Sequence, residues 1–404
     1  MSKTMLALGL LVSVFIMSGC ENFSMPNAPT LSSGSSANGD GQASNPITDL
    51  KEVANELIGP SDSIRPSIIS GTELMTLHGW LANMYPWDYL PNQSAVHPVS
   101  NLWTPNRRPS FMQISEQCKQ IREYGGAAAV LEYSPSNFDQ NYWMSNNFAG
   151  ECGPFFLLYE HIYGTRFIPP DGGPKNMDIP SNRQVFKDDI KFMFDNVIVP
   201  QQSRYVTVNG KAVIYMWSSN QMTGDFGSLL EEVKNEYPVF FLGSSEIWST
   251  PSNQNDKDRV KALDGFMEYT IGGSWTYLKA VQSSRRTSHS WRAYLQRLEL
   301  ETGKRYIFIP TFQAAYDDTN IQPPRNNLPM YAKSREEVLY HAELIRGGMG
   351  SAYDNIGPFV VYSELPEGAA VIESQCLPET IDKPGRYVGC GTARLQILKD
   401  YFGW

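Results

Sequence analysis

The sequence predicts an α/β protein built as a single (β/α)8 barrel, carried behind a signal peptide and a flexible tether. Three observations predict it. From about residue 71 onward, eight short apolar runs alternate with amphipathic stretches, the pattern of buried parallel strands separated by helices. The segment 71–404 has the length at which such a barrel runs as one domain. No glycine-rich phosphate loop follows the first run, which argues against a doubly wound open sheet, the structural alternative.

Residues 1–20 read as a signal peptide. Lys3 supplies a positive start, an apolar run follows from Met5 to Met17, and the small residues Ser18 and Gly19 precede Cys20. The run is too short to span a bilayer, which needs roughly 20 apolar residues. Met17-Ser18-Gly19-Cys20 resembles the lipobox of bacterial lipoproteins, in which the cysteine thiol receives a diacylglycerol before cleavage. The resemblance implies export from a bacterial cytoplasm and a lipid on Cys20; the alternative is an ordinary secretory signal that happens to contain a cysteine. Glu21, where an aspartate is the usual signal for inner-membrane retention, leans the location toward the outer membrane or the periplasmic face of the envelope. Residues 21–70 follow as a tether, rich in Gly and Ser between Ser32 and Gly41, with the apolar spacing of one short docked helix over 50–58. A coil of ~50 residues spans roughly 40 Å, so the folded part stands off the membrane.

In the barrel segment 71–404 the expected strands are 77–84, 127–133, 154–159, 212–217, 239–243, 265–269, 306–310 and 359–362. Several of the intervals hold helices, for example over 114–124, 183–196, 226–236, 290–301 and 335–346. Apart from Cys20, the cysteines are Cys118, Cys152, Cys376 and Cys390, an even number in a compartment where disulfides persist. Four cysteines allow three pairings. Nearness in sequence favours Cys118 with Cys152 and Cys376 with Cys390, and four buried thiols are the alternative.

The net charge of -9 argues against a nucleic-acid surface, which needs a basic patch. No metal and no cofactor is expected, because His78, His97, His161, His289 and His341 are scattered without ligand spacing and no Cys/His cluster appears. Aromatic residues make up 12 % of the chain, enough to line a carbohydrate cleft with flat faces as well as to fill a core.

In a barrel, chemistry sits where the strands end at their C-terminal face. There this sequence collects Tyr85 and Trp87, Glu132 and Tyr133, Tyr159 and Glu160, Tyr215 and Trp217, Glu246 and Trp248, Glu268 and Tyr269. The last expected strand leads directly into Glu364 and Glu367. Two carboxylates so placed are what glycosidic cleavage needs, one to protonate the leaving oxygen and one to act as base or nucleophile. The other reading of Glu-x-x-Glu is a polar loop.

Several segments, taken in order, resemble glycoside hydrolase family 99, the endo-α-1,2-mannosidase group. Ser363-Glu364-Leu365-Pro366-Glu367-Gly368 with Ile372-Glu373 is similar to the family's Asn-Glu-Trp-x-Glu-Gly segment and its trailing Ile-Glu. Tyr316-Asp317-Asp318-Thr319 is similar to its Gly-Tyr-Asp-Asp-Thr turn, and Asp264-Gly265-Phe266 through Tyr269, Tyr159-Glu160 and Tyr85-Pro86-Trp87 also fit. The resemblance covers residues 75–403 and lies in the order and spacing of these segments. It implies a retaining, endo-acting hydrolase in which Glu364 helps the substrate's own 2-hydroxyl attack the anomeric carbon and Glu367 is general acid, then base. Substrate contacts are expected from Tyr85, Trp87, Glu132, Glu160, Trp217, Glu268, Tyr269, Tyr316 and Asp317. Leu365 and Pro366 depart from the pattern, as does an extra residue between Gly368 and Ile372, and they bear on α-mannoside specificity more than on glycosidase chemistry.

Three functions therefore compete. One is an enzyme that cleaves a polysaccharide or glycan at the cell envelope. The second is a catalytically inactive barrel that binds polysaccharide during export or assembly. The third, a structural envelope lipoprotein, accounts least well for strand-end carboxylates interleaved with aromatics.

Overall fold

The computed structural model describes residues 68–84, 102, 110–133, 152–161, 166–170, 173–244, 249–272, 276–318, 329–349, 358–362, 371–376 and 386–402. The signal peptide with Cys20, the tether up to residue 67, and the site residues Tyr85, Trp87, Glu364 and Glu367 lie outside the described residues.

Eight staves form the barrel: β1 Trp80–Met84, β2 Gly126–Tyr133, β3 Phe155–Tyr159, β4 Lys211–Met216, β5 Val239–Gly243, β6 Gly265–Met267, β7 and β8 Val360–Val361. The seventh, β7, is in two pieces, Ile307–Ile309 and Thr311–Phe312, on either side of Pro310. Every stave pairs in parallel with its neighbours. The first piece of β7 pairs with β6 and the second with β8, so the sheet closes on itself across Pro310. Proline has no N–H to donate. Its carbonyl still accepts from Val360 N–H at 2.9 Å, which hands the ladder over from one neighbour to the other.

Around the staves run α1 Phe111–Glu123, α2 Pro180–Met193, α3 Phe226–Glu236, α4 Gln254–Ala262, α5 Tyr277–Thr302, α6 Arg335–Leu344 and α7 Ala393–Phe402. A capping box starts α1, with Ser110 Oγ accepting from Gln113 N–H and Gln113 accepting from Ser110 N–H. On the N-terminal side of the barrel, Thr72–Glu73 pairs with Val206–Val208, which turns back into β4 through Asn209-Gly210. Both turn residues have positive φ, 51° and 73°, as a two-residue hairpin with right-handed twist requires. The folded body includes Ile69, inside the segment expected as tether; it is buried, and its N–H donates to Gly210 O at 2.8 Å.

Successive side chains on a strand point to opposite faces, and contacts with the helices fix which face is which. On β1, Trp80 Nε1 donates to Tyr124 O and Met84 Sδ lies 3.7 Å from Cys118 Sγ of α1, so Leu81 and Asn83 point into the barrel. Tyr133 stacks with Phe192 of α2 and Tyr159 donates to Asp189 of the same helix, which turns Glu132 and Glu160 inward. Phe266 meets Trp291 of α5, Phe312 stacks on His341 of α6, and Phe359 packs on Phe402 of α7. Inward positions on those staves are therefore Met267 and Tyr269, Thr311 and Gln313, and Tyr362. Each large apolar side chain so buried contributes roughly 1.5–3 kcal/mol.

The expected disulfides form, Cys118 with Cys152 and Cys376 with Cys390. Every expected strand corresponds to a stave. The helices differ in extent: α5 begins at Tyr277 rather than at 290, because its first half buries Ala280, Ser284 and Ser288 alongside Tyr277 and Val281, a face in which small and polar residues interrupt the apolar signal. Helix α4 is not among the helices named from the sequence. It is mostly charged and buries Arg259, Val260 and Ala262, so no apolar stripe marked it. Among the described residues, no helix is long and apolar enough to cross a membrane.

Candidate active site

The C-terminal mouth of the barrel holds a cup whose wall is aromatic and whose polar groups are few. Trp217, directly after β4, meets Tyr269, directly after β6, with ring centroids 5.7 Å apart; Tyr269 meets Tyr362, directly after β8, at 5.1 Å. Both contacts are edge-to-face, the geometry that aromatic quadrupoles favour. Residues from alternate staves meet in this way because inward side chains of a barrel stack in layers drawn from alternate strands. Tyr362 is fully buried while Trp217 and Tyr269 are half-buried, so the ring surface open to a sugar's apolar face belongs to Trp217 and Tyr269.

Glu132 is buried at 2 % exposure and turned into the barrel at the end of β2, and Glu160 stands half-buried where β3 ends, its N–H donating to Tyr133 O at 3.0 Å. Gln313 closes the side next to β6: its Oε1 accepts from Thr270 Oγ1 at 2.7 Å and Ile271 N–H at 3.0 Å, which fixes the turn carrying Tyr269. Behind it, Tyr277 Oη donates to Gln313 O at 2.9 Å and lies 3.2 Å from His341 Nδ1. Burial holds His341 neutral, its pKa pushed down to about 4.

Glu268 belongs to a different layer. It follows the outward-facing Phe266 by two positions, and it is buried under α5, with Oε1 accepting from Ser284 Oγ at 2.7 Å and Oε2 from Thr311 N–H at 3.1 Å. The expectation that it contacts substrate is replaced by a structural role: strand alternation sends it to the helix layer, where it takes the N–H that follows the Pro310 break. Burial raises its pKa to about 7.

Beyond β7, Ala315–Tyr316 pairs antiparallel with Met330–Tyr331. Tyr316 Oη donates to Asp318 Oδ2 at 2.9 Å. Asp317 Oδ2 accepts from Arg386 Nη2 at 2.9 Å and from Tyr331 Oη, and the Arg386 guanidinium lies 3.7 Å from the centre of the Tyr331 ring. Asp317 thus anchors the hairpin that carries Tyr316. Of the expected contact residues, the structure brings Glu132, Glu160, Trp217 and Tyr269 to the mouth and places Tyr316 and Asp317 on the hairpin just past β7. Reading the sequence by strand ends missed Asn83, Gln313, Tyr362 and Arg386. The first three were accessible to a period-2 reading of each strand, whereas Arg386 lies far along the chain with no pattern around it. Among the described residues, no group of His, Cys, Asp and Glu is arranged to hold a metal ion.

Fold and cup together define a (β/α)8 barrel with an aromatic-walled mouth that carries a few polar groups. Two solved structures are similar to it. One is an endo-α-mannosidase of glycoside hydrolase family 99 from Bacteroides thetaiotaomicron, with 14% sequence identity and a TM-score of 0.55 over 80% of this chain and 96% of that one. The other is a glycoside hydrolase-like protein, with 15% identity and a TM-score of 0.51 over 85% of this chain and 99% of that one. At these identities the likeness is one of fold. No protein-family model matches the chain, and no curated protein matches it.

Proposed function

We propose that this protein is a glycoside hydrolase that cleaves a polysaccharide or glycan at the bacterial envelope, endo-acting and retaining, with α-mannosides as the first substrates to try. The carrying observation is the cup: Trp217, Tyr269 and Tyr362 in edge-to-face series beside inward-facing Glu132 and Glu160, in a fold shared with an endo-α-mannosidase. Glu364 and Glu367 follow Tyr362 in the sequence, on the chain leaving the mouth of the last stave. In this reading Glu364 takes the proton of the sugar's 2-hydroxyl as that oxygen attacks the anomeric carbon, and Glu367 protonates the departing glycosidic oxygen. Water then opens the intermediate, losing its proton to Glu367 while Glu364 returns one to the 2-oxygen. Cys20 carries the lipid, and the tether lets the barrel reach polymer at the membrane surface.

The test uses protein lacking residues 1–20, incubated with α-mannans and with the source bacterium's own exopolysaccharide. Release of oligosaccharides with retained anomeric configuration is expected, and Glu364→Gln or Glu367→Gln should each lower kcat by about 10²–10⁴. Saccharide binding without hydrolysis by the wild-type protein points instead to the inactive, polysaccharide-binding barrel. Activity that survives both substitutions rejects the assigned roles.

A further inference from the structure

Asn83 is out of place as a structural residue. It sits in the middle of the barrel at 1 % exposure, and among the described residues neither its Oδ1 nor its Nδ2 has a hydrogen-bond partner. Burying an amide without partners costs about 1–3 kcal/mol, and an apolar side chain of the same size at that position carries no such cost. The register explains why the protein offers it nothing: Asn83 lies opposite Val130 on β2, and the pairing of Val361 with Ala82 sets Tyr362 beside it on β8. Its neighbours across the strands are thus an aliphatic side chain and the last ring of the aromatic series. Trp80 and Met84 face α1, so the amide is aimed into the barrel toward the cup.

We infer that Asn83 is a substrate-positioning residue at the floor of the cup, its amide serving two adjacent ring hydroxyls of a bound sugar. This inference rests on the glycan-cleaving reading above and adds a residue to it. An amide presents one acceptor and a donor group side by side, which matches a vicinal pair in which one hydroxyl donates to Oδ1 and the other accepts from Nδ2. Tyr362 beside it is itself fully buried, and the partly exposed ring that meets it edge-to-face, Tyr269, is the one against which the sugar's apolar face packs. A site whose buried polar group is satisfied only by ligand discriminates strongly against ligands that lack the matching hydroxyl.

The experiment compares the chain lacking residues 1–20 with Asn83→Leu and Asn83→Ala, measuring thermal midpoint and calorimetric binding of α-mannan oligosaccharides. Asn83→Leu should leave the midpoint unchanged or raise it, while Kd weakens roughly tenfold to hundredfold; Asn83→Ala should show the same loss of affinity if the leucine does not fit. A midpoint that falls by several degrees in Asn83→Leu and in Asn83→Ala alike overturns the inference, because the amide is then satisfied within the protein. Unchanged affinity in both variants also overturns it and leaves an internal water as the amide's partner, with the glycan-cleaving reading intact. Failure of the parent protein to bind these oligosaccharides or the exopolysaccharide removes that reading and this inference together, and the midpoint alone still reports whether the amide is unsatisfied.

Discussion

Glu268 and Tyr269 are adjacent in the chain and do unrelated work. Tyr269 joins the aromatic wall, while Glu268 is buried against Ser284 and the N–H of Thr311. Its raised pKa has a consequence with a definite sign. Between pH 4.5 and about 7 the folded chain holds a proton that the unfolded chain has released, so this group's stabilising contribution, complete below pH 4.5, is lost as pH rises to about 7. Glu268→Gln keeps the shape and can accept from Thr311 while donating to Ser284, without the charge. Its thermal midpoint should therefore exceed that of the parent by several degrees at pH 8 and converge with it near pH 4.5, read by calorimetry across the range. The difference between variant and parent cancels Asp189, whose pKa burial raises to about 6, and His341, which titrate nearby. A constant gap at all pH values rules out the buried acid as its source.

At the scale of elements, the barrel is held where its regular bonding is interrupted. Pro310 breaks β7, and closure depends on Thr311–Phe312 finding β8 while Ile307–Ile309 stays on β6. The bond between Cys118 and Cys152 ties α1 to the chain entering β3, a separation of 34 residues. Closing a loop of that length restricts the unfolded chain enough to stabilise the fold by roughly 3–4 kcal/mol. Replacing both cysteines by serine should lower the thermal midpoint by roughly 5–10 °C without altering glycan affinity. The same double variant that loses affinity at unchanged midpoint places the disulfide in the site rather than in the scaffold.

For the whole molecule, the anchor proposed at Cys20 and the barrel make one arrangement. In that proposal a cup on a tether of roughly 40 Å works on polymer at the envelope rather than on small soluble sugars. Cys20→Ala should shift the protein from the membrane fraction to the soluble fraction and abolish its labelling with a radioactive fatty acid, while purified barrel lacking residues 1–20 keeps whatever activity it has. Labelling that persists in Cys20→Ala moves the lipid elsewhere or removes it.

The order of staves, the pairing of the cysteines and the aromatic and acidic character of the strand ends were legible in the sequence, because burial of alternating apolar runs and proximity along the chain are local properties. Helix α4 and the first half of α5 were not, since polar and small residues interrupt the apolar ones on their buried faces and their helicity comes from packing against the barrel. The site divides along the same line. Trp217, Tyr269, Glu132 and Glu160 announce themselves as residue types at strand ends. The tertiary structure alone decides that Glu268 faces a helix, that Asp317 is engaged by Arg386, and that Asn83 is aimed into the mouth with no hydrogen-bond partner among the described residues, because each depends on which side of a strand faces which neighbour and on chain segments distant in sequence.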